Sequence, residues 1–70
     1  MNIKLNLISE LYDFIEVAQK HLSEVRLFQG NYSVDAKSIL GVLALNLNES
    51  FSCVTEDGNY DDFEAFVNKM

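Results

Sequence analysis

The spacing of apolar residues changes abruptly after Leu7. Ile3, Leu5 and Leu7 alternate with Asn2, Lys4 and Asn6, the period of a half-buried strand. Ile8, Leu11, Phe14, Ile15, Ala18 and Leu22 then recur every three or four residues, the period of an amphipathic helix. The strand therefore runs almost directly into the helix. Ser9 is in position to cap it, and Glu10, Asp13 and Glu16 suit its positive end. Lys20 and His21 lie near its C-terminal end, where cations are favoured.

The same two periods order the rest of the chain. Val25 and Leu27 flank Arg26, and Tyr32 and Val34 flank Ser33, with "QGNY" between the two runs. Gly-Asn tolerates positive φ, so the pair predicts a β-hairpin. A second helix is expected from Ser38 to about Leu47, with Asn46 or Asn48 in the left-handed conformation at its end. "SFSCVTE" reads as a fourth strand. "EDGNYDD" is a turn into a third helix, with Phe63, Phe66, Val67 and Met70 at helical spacing. The order β-α-β-β-α-β-α predicts an α+β fold, an open-faced sandwich with its helices on one face of a four-stranded, mainly antiparallel sheet.

Seventy residues suffice for one domain, which buries only about 60% of its unfolded surface. Residues 1–70 contain no proline, linker or repeat. Nothing approaches the ~20 apolar residues of a membrane span, and Met1-Asn2-Ile3-Lys4 does not open like a signal peptide. Cys53 stands alone, which excludes an intrachain disulfide, predicts a small core residue and points to a cytoplasmic setting. Eleven acidic residues against five basic ones give a net charge of −6. Phosphate backbones and anionic membranes would be repelled, so neither nucleic acid nor membrane is expected as a partner, and a basic protein surface fits better.

Few residues invite chemistry. Asp57-Gly58-Asn59-Tyr60-Asp61-Asp62 begins like a calcium loop. It then places Asp62 where the sharp turn needs glycine and Asn68 where the ion needs a bidentate glutamate. His21 is the only histidine, expected to be a solvated or capping residue, and it supports neither a zinc site nor a Ser-His-Asp set. The three glycines are isolated and build no phosphate loop. Phe14, Phe51, Phe63 and Phe66 fall at core periodicities without the basic neighbours of a base-stacking platform. No enzyme, metal or cofactor is expected.

The second helix carries seven apolar residues among nine, too many for one buried stripe. Val42, Leu45 and Leu47 can face the sheet. Ile39, Leu40 and Leu43 form a second patch, which is either additional core or an exposed docking surface. Ser38 is a good N-cap residue, and a phosphate there would also suit the positive end of the helix, with Lys37 adjacent.

"KSILGVLALNL", set in this element order, resembles the second-helix signature of HPr, the phosphocarrier of the sugar phosphotransferase system, in its Gram-positive branch. The likeness extends less tightly over "FIEVAQKHLSEVRLFQGNYSVDA" and the last strand and helix. It implies an HPr-like fold, with Ser38 matching the serine that an ATP-dependent HPr kinase phosphorylates. Ile39, Leu40 and Leu43 match the family's docking patch, with Lys37 beside it, and Val42, Leu45 and Leu47 match its inward positions. The family's His-x-Arg-Pro motif has no counterpart in "LNLISELYDF", where the loop itself is missing. A phosphohistidine relay is therefore not expected. The resemblance implies a regulatory, protein-interaction role in catabolite control, through an HPr kinase or a transcription regulator. The alternative is a degenerate structural module that acts through homodimerisation or an unrelated partner.

Overall fold

The computed structural model describes all 70 residues. The elements are β1 (Asn2–Ile3), α1 (Ile8–Lys20), β2 (Val25–Gln29), β3 (Tyr32–Asp35), α2 (Ile39–Leu43), β4 (Phe51–Thr55) and α3 (Asp61–Asn68). The fold is α+β, and the four strands form one open antiparallel sheet in the order β1-β4-β2-β3. Strand alternation sends Val25, Leu27, Phe51, Cys53 and Thr55 inward, while Arg26, Phe28 and Val54 remain exposed on the other face.

The hairpin turn is Gly30-Asn31, closed by the Gln29–Tyr32 pair. Only Gly30 takes a positive φ, +57°, so the glycine of the pair carries the left-handed residue and the asparagine does not. The second positive φ is at Gly58, +71°, in the turn between β4 and α3.

Phe14 sits at the centre of the core. Its ring lies 5.3 Å from Phe51 in β4, and 5.5 Å and 6.0 Å from Phe63 and Phe66 in α3. Leu11, Ile15 and Ala18 complete the buried stripe of α1. Cys53 is fully buried, and burial pushes its thiol up to about 11, against the opposing pull of the Met1 ammonium. That ammonium donates to the Cys53 carbonyl at 2.9 Å.

The ends of the elements differ from the sequence expectation. Leu7 lies outside the strand, exposed, and it rather than Ser9 is the N-cap of α1. Leucine has no side-chain acceptor. The Glu10 carboxylate does the capping from within the helix, accepting the backbone N–H groups of Asn6 and Leu7 at 2.8 and 2.9 Å. Ile8 is exposed on the first turn, and Leu22, beyond the helix end at Lys20, is 99% exposed. Neither belongs to the buried stripe.

The second helix is half the expected length. It ends at Leu43, and no asparagine adopts a positive φ. Side chains compete for the backbone that would have continued it. Gln29 of β2 accepts the Asn46 N–H at 2.8 Å and donates to the carbonyls of Asn46, Glu49 and Ser50. Asn46 accepts the Asn48 N–H through its own side chain at 2.9 Å. The chain is held in a turn, and Leu45 and Leu47 reach the core from there.

Three substitutions probe this packing. A methyl group on Gly41 would overlap Val34 Cγ2 across the α2–β3 contact. Gly41→Ala should therefore lower stability by about 1–3 kcal/mol in urea unfolding, although alanine is the better helix former. Val34→Ala in the same chain should recover part of that loss. Thr55 Oγ1 is buried without a hydrogen-bond partner, so Thr55→Val should raise stability by about 1 kcal/mol in the same assay.

Candidate functional site

Three side chains, two from β3 and one from α1, hold the start of α2. Asp35 Oδ1 accepts the Lys37 N–H at 2.9 Å, which turns the chain out of β3. Gln19 of α1 donates to the Lys37 carbonyl at 3.5 Å. The Tyr32 hydroxyl donates to the Gly41 carbonyl at 2.7 Å, pinning the helix to the hairpin. Between these anchors Ser38 is the N-cap, and its Oγ accepts the Gly41 N–H at a long 3.4 Å. Ser38 is an exposed residue.

The five residues singled out around α2 divide into two groups. Ser38, Ile39 and Leu40 are exposed, Leu40 at 84% and Ile39 at 47%. Leu43, expected in the same outward patch, is half-buried and packs against the core. It lies one turn beyond Ile39 and is rotated toward the body of the domain. Lys37 is not a free cation beside the serine. Its ammonium donates to the His21 carbonyl at 2.7 Å, satisfying the open end of α1. On the inward side Val42 and Leu45 are buried and Leu47 is half-buried, as their positions predicted.

His21 corrects a second expectation. It is the C-cap residue of α1, but it is only 5% exposed rather than solvated. Its ring packs on Phe63 with centroids 5.5 Å apart. Nε2 lies 3.1 Å from Asp57 Oδ1, in the β4–α3 turn, and Nδ1 lies 3.6 Å from Asp62 Oδ2, in the first turn of α3. One imidazole thus joins three segments. Spacing could not reveal it, because the partners stand more than 35 residues away in sequence and their carboxylates read equally well as helix-start residues.

The loop that began like a calcium site spends its oxygens on itself. Asp57 Oδ1 accepts the Asn59 N–H at 3.0 Å as well as facing His21, and Asn59 Oδ1 accepts the Asp61 N–H at 3.0 Å. No group of three or more His, Cys, Asp or Glu side chains is placed to hold a metal ion. No helix is long and apolar enough to cross a membrane. Comparison of the chain with protein-family models, curated proteins and solved structures gave no match.

The Asn59 N–H, and after it the His21 imidazole, hold the Asp57 carboxyl down at about 2, against an ordinary 3.8. A depressed carboxyl favours the fold at every pH above its unfolded value and stops doing so as pH falls through the folded one. Asp57→Asn should therefore melt below the parent at pH 6, and the gap should close between pH 4 and pH 2. Circular-dichroism melts of both proteins across that range check it.

Proposed function

We propose that this chain is an HPr-like protein-interaction module that docks a protein partner through the exposed start of α2, with Ser38 as a phosphorylation switch. The observation that carries this reading is the exposure of Leu40 and Ile39 next to an exposed serine, on a helix tethered by Tyr32. Large aliphatic side chains left in water forgo roughly 1.5–3 kcal/mol each that burial would recover. A partner that covers them recovers it. Support for the family reading comes from the α+β order, the open antiparallel sheet and the inward placement of Val42, Leu45 and Leu47, all of which agree with the resemblance of "KSILGVLALNL" to HPr.

The switch works locally. The long Ser38–Gly41 bond costs little to break, and a phosphate on Oγ would place about −2 charge beside Ile39 and Leu40. The Lys37 ammonium is held at the His21 carbonyl rather than at Ser38 and carries only one positive charge, so a basic partner surface that supplies further cations discriminates the phosphorylated form. A relay of phosphate through His21 finds no support. The imidazole is buried at the C-terminal end of α1, and both ring nitrogens face carboxylates that would repel a phosphoryl group.

A second reading, homodimerisation, is favoured by the outer sheet face, where Phe28 and Val54 stand exposed beside Glu24, Arg26 and Glu56. Sedimentation of Phe28→Glu against the parent separates it, since only a dimer held by that face would dissociate.

The docking reading predicts that a Gram-positive HPr kinase with ATP adds one phosphate, located at Ser38 by mass spectrometry, and that Ser38→Ala stays unmodified. Leu40→Glu should abolish modification without lowering the melting temperature, because the side chain makes no core contact. An unmodified parent beside a modified control HPr would sink the switch.

A further inference from the structure

A second surface lies on the other flank of α1. α3 runs antiparallel to α1: its first turn meets the end of α1 at His21–Asp62, and its last residues face Glu10 and Asp13. Between the two helices is a groove of about 430 Å³. Val17 and Phe66, both half-buried, and the exposed Met70 give it an apolar floor. Glu10, Asp13 and Glu16 line one wall, and Lys20 and Lys69 the remaining rim. Lys20 is already paired with Glu16 at 3.2 Å, and Lys69 makes no ion pair. Further along, Asp62 at the start of α3 stands beside Val17 and Lys20, so four carboxylates flank the groove against two lysines.

We propose that this groove docks a basic amphipathic helix of a partner protein, at a site separate from α2. An apolar trough between two antiparallel helices matches the apolar stripe of a partner helix, which would lie over the pair and cover Val17, Phe66 and Met70. α3, at 8 residues, is the shorter wall and sets a groove of about 12 Å, enough for about two turns of a partner helix. The acidic rim selects the charge of the partner. A second copy of this chain would set carboxylates against carboxylates, and an anionic lipid surface would be repelled for the same reason. A helix with leucines on one face and lysines or arginines flanking them meets both the floor and the rim.

The site is independent of the proposed role of α2, and the test keeps the two apart. The probe is a fluorescein-labelled 14-residue helical peptide with leucines at positions spaced three and four apart and lysines elsewhere, with a glutamate-for-lysine counterpart as control. Anisotropy titrations should show binding of the lysine peptide and none of the glutamate peptide. The double variant Asp13→Lys/Met70→Glu changes two exposed residues and so leaves the core intact. It should weaken binding about tenfold or more, while Leu40→Glu binds as the parent does. In the parent, amide chemical shifts should move at Val17, Phe66 and Lys69 and stay fixed at Ile39 and Leu40. Absence of binding, equal binding of the glutamate peptide, unchanged affinity in the double variant, or shifts centred on α2 would each overturn the proposal.

Discussion

Everything else in this small domain leans on Phe14. A chain of 70 residues cannot build a deep interior, and only 16 of its residues are buried, so each large side chain joins more than one boundary. The Phe14 ring touches the sheet through Phe51 and α3 through Phe63 and Phe66, so one side chain fixes the height of α1 above β4 and the approach of α3. Edge-to-face packing at 5.3 and 6.0 Å adds a geometric preference to the area it buries. Phe63 then carries the ring of His21, and through it the clamp of Asp57 and Asp62 that sets where α3 begins. The order of influence runs from an aromatic core to a polar lock at its end.

α2 is placed differently, by polar tethers rather than by bulk. With five residues and only Val42 buried in the helix itself, it is too short to be stable on its own. Tyr32 holds its middle, Gln29 holds the turn that follows, and Gln19 and Lys37 tie its start to the end of α1. The tethers come from the hairpin and from α1, and none uses Ile39 or Leu40. A helix anchored in this way can leave two large aliphatic side chains in water without losing its place.

Periodicity in the sequence was enough for the element order, the fold class and most of the core, because those follow from which residues can be buried together. Leu11, Phe14, Ile15, Ala18, Val25, Leu27, Val42, Leu45 and Cys53 all lie where their spacing put them. Element ends were not legible, since an apolar residue prolongs a pattern whether or not the backbone follows. Leu7, Ile8 and Leu22 each continue an apolar run, yet each is exposed. The length of α2 was hidden for a different reason. Its limit is set by the carboxamide of Gln29, 17 residues away from Asn46, and a local window contains no trace of that competition. His21 was illegible in the same way, because its burial depends on two aspartates that arrive only once α3 has folded back. Of the candidate site, apolar spacing left Ile39, Leu40 and Leu43 open between core and exposed patch, and the exposure of Ile39 and Leu40, the inward lean of Leu43 and the commitment of Lys37 required the tertiary structure.

The two proposed surfaces can be occupied together, and the helix geometry of α1 explains why. α2 and α3 both contact α1 but lie on different flanks of it. Gln19 faces the start of α2, while Val17, two residues earlier and about 200° away around the helix, lies in the groove with α3. The α2 surface offers two exposed aliphatic side chains and an exposed serine, the proposed site of phosphorylation. The groove offers a fixed acidic rim over an apolar floor. A phosphate on Ser38 makes the first surface acidic as well, and both then select basic partners. Phosphorylation would thereby alter which partner binds at α2 while leaving the groove as it was, because the tethers that position α2 include no residue of the groove other than those on the shared backbone of α1.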